Sequence, residues 1–98
     1  MPGWTLTFAS TYVADLRALP IFDRARIQAA VATSLPAEPD RPARHRRALK
    51  APVSWCPEAT WQLRVGNYRV LYRLEGDAVE VLRVRLKARR TTEEMGPK

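Results

Sequence analysis

The 98-residue sequence is poor in the residues that the commoner small-protein chemistries require. Its one cysteine, Cys56, excludes an internal disulfide and any cysteine-rich zinc site, and suits a reducing compartment. There is one histidine, His45, and the acids (for example Asp15, Glu38, Glu58 and Glu80) show no metal-ligand spacing, so neither a metal nor another cofactor is expected. The four glycines are scattered, which excludes a glycine-rich phosphate loop. No apolar run approaches the roughly 18 residues of a membrane span, so no membrane partner is expected. Residues 1–10, MPGWTLTFAS, have no basic start followed by an apolar run; a signal peptide is not expected, and a cytoplasmic location is.

What is present is basic charge on a chain of single-domain size. Hydrophobic residues make up 46% of the sequence, including three Trp and three Tyr, enough for one modest core spanning residues 1–98. The formal charge is +7 and the isoelectric point about 10.5. Such a field attracts polyanions: nucleic acid first, then an acidic protein or an anionic membrane surface.

Along the chain, Trp4, Leu6 and Phe8 alternate with Thr5 and Thr7, the period of a half-buried strand. Ser10 or Thr11 is then suited to cap a short helix in which Tyr12, Leu16 and Leu19 recur at helical spacing and which Pro20 ends. A second helix is expected from Phe22 or Asp23 to about Leu35, with Ile27, Val31 and Leu35 on one stripe. The short link makes these an antiparallel pair on one sheet face. Across residues 36–60, Pro36, Pro39, Pro42, Pro52 and Pro57 break both periodicities, and the stretch reads as mostly loop. Residues 61–90 then read as three strands joined by turns at Gly66-Asn67 and Glu75-Gly76-Asp77, with Trp61, Leu63, Tyr68, Val70 and Tyr72 facing the core. Thr91 to Met95 suits a last short helix. The expected fold is α+β, in the order β-α-α-loop-β-β-β, with about four strands in an antiparallel-rich sheet.

Two sets of cations stand out. Residues 41–50 hold five Arg or Lys in ten positions, including Arg44, Arg46, Arg47 and Lys50. Residues 61–90 hold eight basic side chains (Arg64, Arg69, Arg73, Arg83, Arg85, Lys87, Arg89 and Arg90) against three acids, a net charge of +5. Pairing with those acids accounts for Arg73 and Arg83. Arg64 and Arg69 lie at outward positions of two paired strands, where their guanidinium forks converge on one phosphate, a geometry that lysines do not reproduce. His45 reads as a solvent-facing imidazole in an arginine-rich loop, and Cys56, between Trp55 and Pro57, as packing.

The run Trp61-Gln62-Leu63-Arg64-Val65-Gly66-Asn67-Tyr68-Arg69-Val70-Leu71-Tyr72-Arg73-Leu74, preceded by Leu49-Lys50 and followed by a turn and a Val-rich strand ending in basic residues, resembles the RelE/ParE superfamily of bacterial toxin–antitoxin toxins. The resemblance implies a small antiparallel-rich sheet packed on two N-terminal helices. Its RelE branch cleaves messenger RNA in the ribosomal decoding site: basic side chains orient the backbone, a 2′-hydroxyl attacks the adjacent phosphate, and arginine stabilises the developing charge. By position, the resemblance implies catalytic roles for Arg64, Arg69, Lys50 and Lys87, and RNA binding by Arg44, Arg46, Arg47, Arg85, Arg89 and Arg90. It also implies an acidic antitoxin partner.

The chain departs from that pattern in two respects: Arg85 and Leu86 stand where many relatives have a small residue or Gly before the basic cluster, and a late acid–base residue is missing. RelE-type enzymes often carry a late Tyr or His for acid–base work, and here none follows Tyr72. Three functions therefore stand side by side: an mRNA-cleaving toxin on the ribosome, a ParE-like inhibitor of DNA gyrase that does no chemistry, and a protein of this fold that keeps only partner binding.

Overall fold

Apolar periods of two and of about four become strands and helices in the computed structural model, which describes residues 3–87. In chain order they are β1 (Thr5–Phe8), α1 (Ser10–Arg17), α2 (Ile21–Ser34), β2 (Arg46–Ala48), β3 (Trp61–Val65), β4 (Tyr68–Glu75) and β5 (Ala78–Leu86). The strands form one sheet in the order β1-β5-β4-β3-β2, and the fold is α+β of the RelE-like kind. The last expected helix, with Arg89 and Arg90 before it, lies outside the described residues.

Two glycines make the centre of the sheet possible. Val65 pairs with Tyr68 and Glu75 with Ala78, so each hairpin closes through two residues. Gly66 and Gly76 hold the first of these positions with φ of +58° and +62°, a left-handed conformation that side chains with a Cβ resist.

The helices cover one sheet face. Tyr12 and Leu16 of α1 and Ile27, Val31 and Leu35 around α2 join Leu63, Val70, Tyr72, Val79, Val81 and Val84 in one core, all nearly or fully buried. Two tyrosine hydroxyls lock the second helix and the following loop onto β4: Tyr68 donates to the Asp23 carboxylate at 2.7 Å, and Tyr72 donates to the Pro39 carbonyl at 2.7 Å. Trp61 stacks on Tyr72 with ring centres 6.2 Å apart.

Neither Ser10 nor Thr11 caps α1, contrary to expectation; the cap position is Ala9, with no side-chain hydrogen bond. The reason lies in β5. The β4–β5 ladder slips between Leu71 and Tyr72, so Leu71 pairs with Arg83 but Tyr72 with Val81, and Leu82 bulges. A bulge leaves backbone groups without ladder partners. Thr11 donates its hydroxyl to the Leu82 carbonyl at 2.7 Å, and Asp15 accepts from the Val84 N–H at 3.2 Å and from Arg83 Nε at 2.7 Å. Thus α1 side chains serve the bulge rather than their own helix.

Two further differences concern the sheet. Residues 36–60 contain a strand, so the sheet has five strands rather than about four. β2 carries no apolar alternation to announce it; it forms because the free edge of β3 offers backbone partners, Arg46 to Leu63, Arg47 to Gln62 and Ala48 to Trp61. At the other edge β1 runs parallel to β5, Thr5 beside Ala78 through Phe8 beside Val81. Among the described residues no helix is long and apolar enough to cross a membrane.

Candidate nucleic-acid interface

The sheet face away from the helices is divided by a loop. Val53, Trp55, Cys56 and Ala59 fold over Leu71 and Leu82 and make a second small core on that half of the face. Cys56 belongs to this packing: burial raises its thiol pKa, with Glu58 adding to the effect, so the reactive thiolate is disfavoured. The other half stays open.

On the open half the strand registers align basic residues in a row. Arg64 pairs with Arg69 across β3 and β4, and Arg69 pairs with Arg85 across β4 and β5. The Arg64 N–H donates to the His45 carbonyl at 2.7 Å, which continues the β2–β3 ladder by one residue and sets His45 directly opposite Arg64. The row therefore runs His45, Arg64, Arg69, Arg85, with neighbouring Cβ atoms about 5 Å apart. At its near end the row floors a groove of about 230 Å³ lined by Ala43, Arg44, His45, Arg46, Arg47, Gln62, Arg64, Arg69 and Lys87, none of which carries a carboxylate.

The two arginines of the hairpin are held differently. Arg64 is exposed. Arg69 is 8% exposed, and its Nη1 donates to the carbonyls of Tyr68 at 3.0 Å and Gly66 at 3.4 Å. Its pKa is lowered, first by desolvation and then by the like charges of Arg64 and Arg47. A row of cations without acids is destabilised by its own repulsion, and an anion in the groove relieves it.

The structure brings together Arg44, Arg47, Arg64, Arg69 and Lys87, five of the residues expected at a site. Lys87 is set there by its N–H, which donates to the Asn67 carbonyl at 2.6 Å. Others are placed differently. Arg46 also borders the groove but points toward the helix side, because residues alternate along β2; it is 8% exposed, donates from Nε to the Arg41 carbonyl at 3.0 Å and lies 3.9 Å from Glu38. Lys50 sits beyond β2, beside a separate depression lined by Arg47, Ala48 and Leu49. Arg85 lies over the Trp55 ring, 4.6 Å from its centre, a cation–π contact at the far end of the row. Arg73 pairs with Glu75 and Glu80, as expected, whereas Arg83 pairs with Asp15 of α1 and not with the acids of its own segment.

Two groove residues were not singled out from sequence. Gln62 is one, and His45, which is exposed as its arginine-rich surroundings imply but also lines the groove, is the other. The signal was available in the period: once residues 46–48 are known to be a strand, 45 and 47 share the face that 46 leaves.

Comparisons with known proteins bear on the family and the fold. The family of ParE toxins of type II toxin–antitoxin systems (parDE) matches residues 6–91. Three solved structures are similar over most of their length. The RelBE2 toxin–antitoxin complex of Mycobacterium tuberculosis is 29% identical, with a TM-score of 0.70 over 87% of this chain and 99% of that one. The RelB–RelE complex of Methanococcus jannaschii is 27% identical, with a TM-score of 0.55 over 81% and 87%. The archaeal RelE–RelB complex of Pyrococcus horikoshii OT3 shares the fold at 18% identity, with a TM-score of 0.68 over 90% and 99%. No curated protein sequence matches.

Proposed function

This chain belongs to the ParE toxin family of type II toxin–antitoxin systems, and from that premise we propose that it stops translation by cleaving messenger RNA on the ribosome. The observation that carries this reading is the row of Arg64, Arg69 and Arg85 leading into an acid-free groove. Guanidinium forks at cross-strand spacing suit a polyanion, whether the carboxylates of an acidic protein or a phosphate backbone. A phosphodiester uses them: each fork donates two parallel hydrogen bonds to phosphate oxygens.

Arg69 is the fixed element, since its Nη1 is committed to two carbonyls and the residue lines the groove. Arg64, exposed beside it, closes on the other phosphate oxygen. Arg44, Arg47 and Lys87 hold the flanking backbone. When a 2′-hydroxyl attacks the neighbouring phosphorus, the added negative charge develops between two cations already in place, and the RNA supplies its own nucleophile. Similarity to the RelBE2 and RelB–RelE complexes supports a cognate antitoxin as partner, acidic enough to neutralise the groove.

Primer extension on ribosome-bound mRNA tests the reading: purified protein should cut within the ribosome-covered codon and leave free DNA and gyrase untouched. A ParE-like action on DNA gyrase is the competing reading, favoured by the parDE description of the matching family. It predicts gyrase-linked DNA breaks and an SOS response with mRNA intact, and that outcome would displace the first.

A further inference from the structure

We infer that His45 is the proton acceptor for the 2′-hydroxyl in this groove, an inference that rests on the mRNA-cleavage reading and assigns its missing acid–base residue.

Cleavage at a 2′-hydroxyl requires a group that takes the proton as the oxygen attacks. Arginine is protonated at all physiological pH values and has no acceptor lone pair; lysine is an ammonium, and a glutamine amide is not a base. The groove arginines and Gln62 therefore hold charge and position but do not exchange protons near neutrality. Imidazole does. His45 is the sequence's one histidine, and it lines this groove.

Its placement is specified by backbone, not by chance exposure. The 2.7 Å hydrogen bond from the Arg64 N–H to the His45 carbonyl fixes the residue opposite Arg64 in the row. Burial of Arg46 on the other face sets the alternation that leaves His45 and Arg47 on the groove side. A phosphate held by Arg64 and Arg69 thus has imidazole on the β2 side, where a 2′-hydroxyl of the preceding ribose can lie. Lys87 lies on the opposite side, beyond β4. The charged groups that line the groove with His45 are all cationic: Arg44, just before β2, Arg46 and Arg47 on β2, Arg64 on β3, Arg69 on β4 and Lys87 after β5.

The step balances without a further reactant. The 2′-oxygen lone pair forms the new bond to phosphorus while its proton passes to a ring nitrogen of His45. The P–O5′ bond breaks with its electron pair on the 5′-oxygen, which takes a proton from water. The products are a 2′,3′-cyclic phosphate and a 5′-hydroxyl, and His45 returns its proton to solvent.

The test uses the full chain on programmed ribosomes, with His45→Gln and His45→Ala. Both should fold and bind mRNA carrying a 2′-deoxy nucleotide at the scissile position as the unmodified protein does, because the side chain is exposed. Cleavage should fall about 10²-fold or more. The unmodified protein's rate should rise along a pH limb that vanishes in His45→Gln. Added imidazole should restore His45→Ala in proportion to its concentration, a response that a structural role does not give. Cleavage by His45→Gln at the original rate with the original pH limb overturns the assignment while leaving the mRNA reading intact. Failure of the unmodified protein to cut mRNA removes both.

Discussion

Arg64 and Arg69 face each other across the β3–β4 hairpin, two like charges at a position where sheets ordinarily pair opposite charges or apolar groups. Such a pair costs stability, and the desolvation of Arg69 adds to the cost. At the floor of a groove, an anion would relieve that repulsion.

Arg64→Ala should therefore separate function from folding. Removing one pre-positioned donor to the developing charge should slow cleavage on the ribosome by about 10²- to 10³-fold. The thermal midpoint should stay level or rise, since the side chain is exposed and its loss relieves repulsion on Arg69. A parallel fall in midpoint and activity would make Arg64 structural.

Inorganic phosphate should stabilise the protein through the same pair. Above its dissociation constant each tenfold increase should add about 1.4 kcal/mol, read as a rising melting temperature at constant ionic strength. Arg69→Gln should remove most of this response. Equal shifts in both proteins would place the anion elsewhere.

The clamp between α1 and the bulge of β5 gives a stability prediction away from the site. Asp15 accepts from Arg83 Nε and Nη2 and from the Val84 N–H. Asp15→Ala leaves a partly buried guanidinium and a backbone donor without that partner and should cost about 2–3 kcal/mol in urea unfolding. Groove chemistry should be unaffected at temperatures where the variant stays folded.

Alkaline pH should unfold the protein by way of three phenols. Burial pushes Tyr12 up to about 12, the hydrogen bond to Asp23 raises Tyr68, and burial raises Tyr72. Each folded-state pKa lies above the unfolded value of about 10, so the folded state holds its protons longer. Their contribution is complete below about pH 10 and is lost as pH rises toward about 12. Tyr12→Phe should flatten this loss. Near neutrality it should cost little, because the Tyr12 hydroxyl is buried with no hydrogen-bond partner among the described residues. Denaturant midpoints at the two pH values measure both effects.

At Gly66 the backbone takes φ of +58°, and a Cβ there would meet the Arg26 guanidinium. Gly66→Ala should cost about 1 kcal/mol or more. Because this turn sets the spacing of Arg64 and Arg69, the substitution should lower cleavage along with stability; full activity would show that the pair tolerates a looser turn.

Much of this was legible in the sequence because local period and chemistry carry it. Leu63, Tyr68, Val70 and Tyr72 alternate into the core as their spacing indicates, Ile27, Val31 and Leu35 form one helical stripe, and the Gly66 turn brings Arg64 and Arg69 together. A hairpin's register follows from its turn and its alternation, both of which are short-range. The tertiary structure decided what depends on distant partners. β2 exists only because β3 presents an edge, and it is β2 that turns His45 and Arg47 into the groove and Arg46 away from it. The bulge at Leu82 diverts Thr11 and Asp15 from helix-end duty to the sheet, and Trp55 takes Arg85. In each case the energy lies in satisfying backbone groups or charges that come together only on folding, so no window of sequence contains the reason.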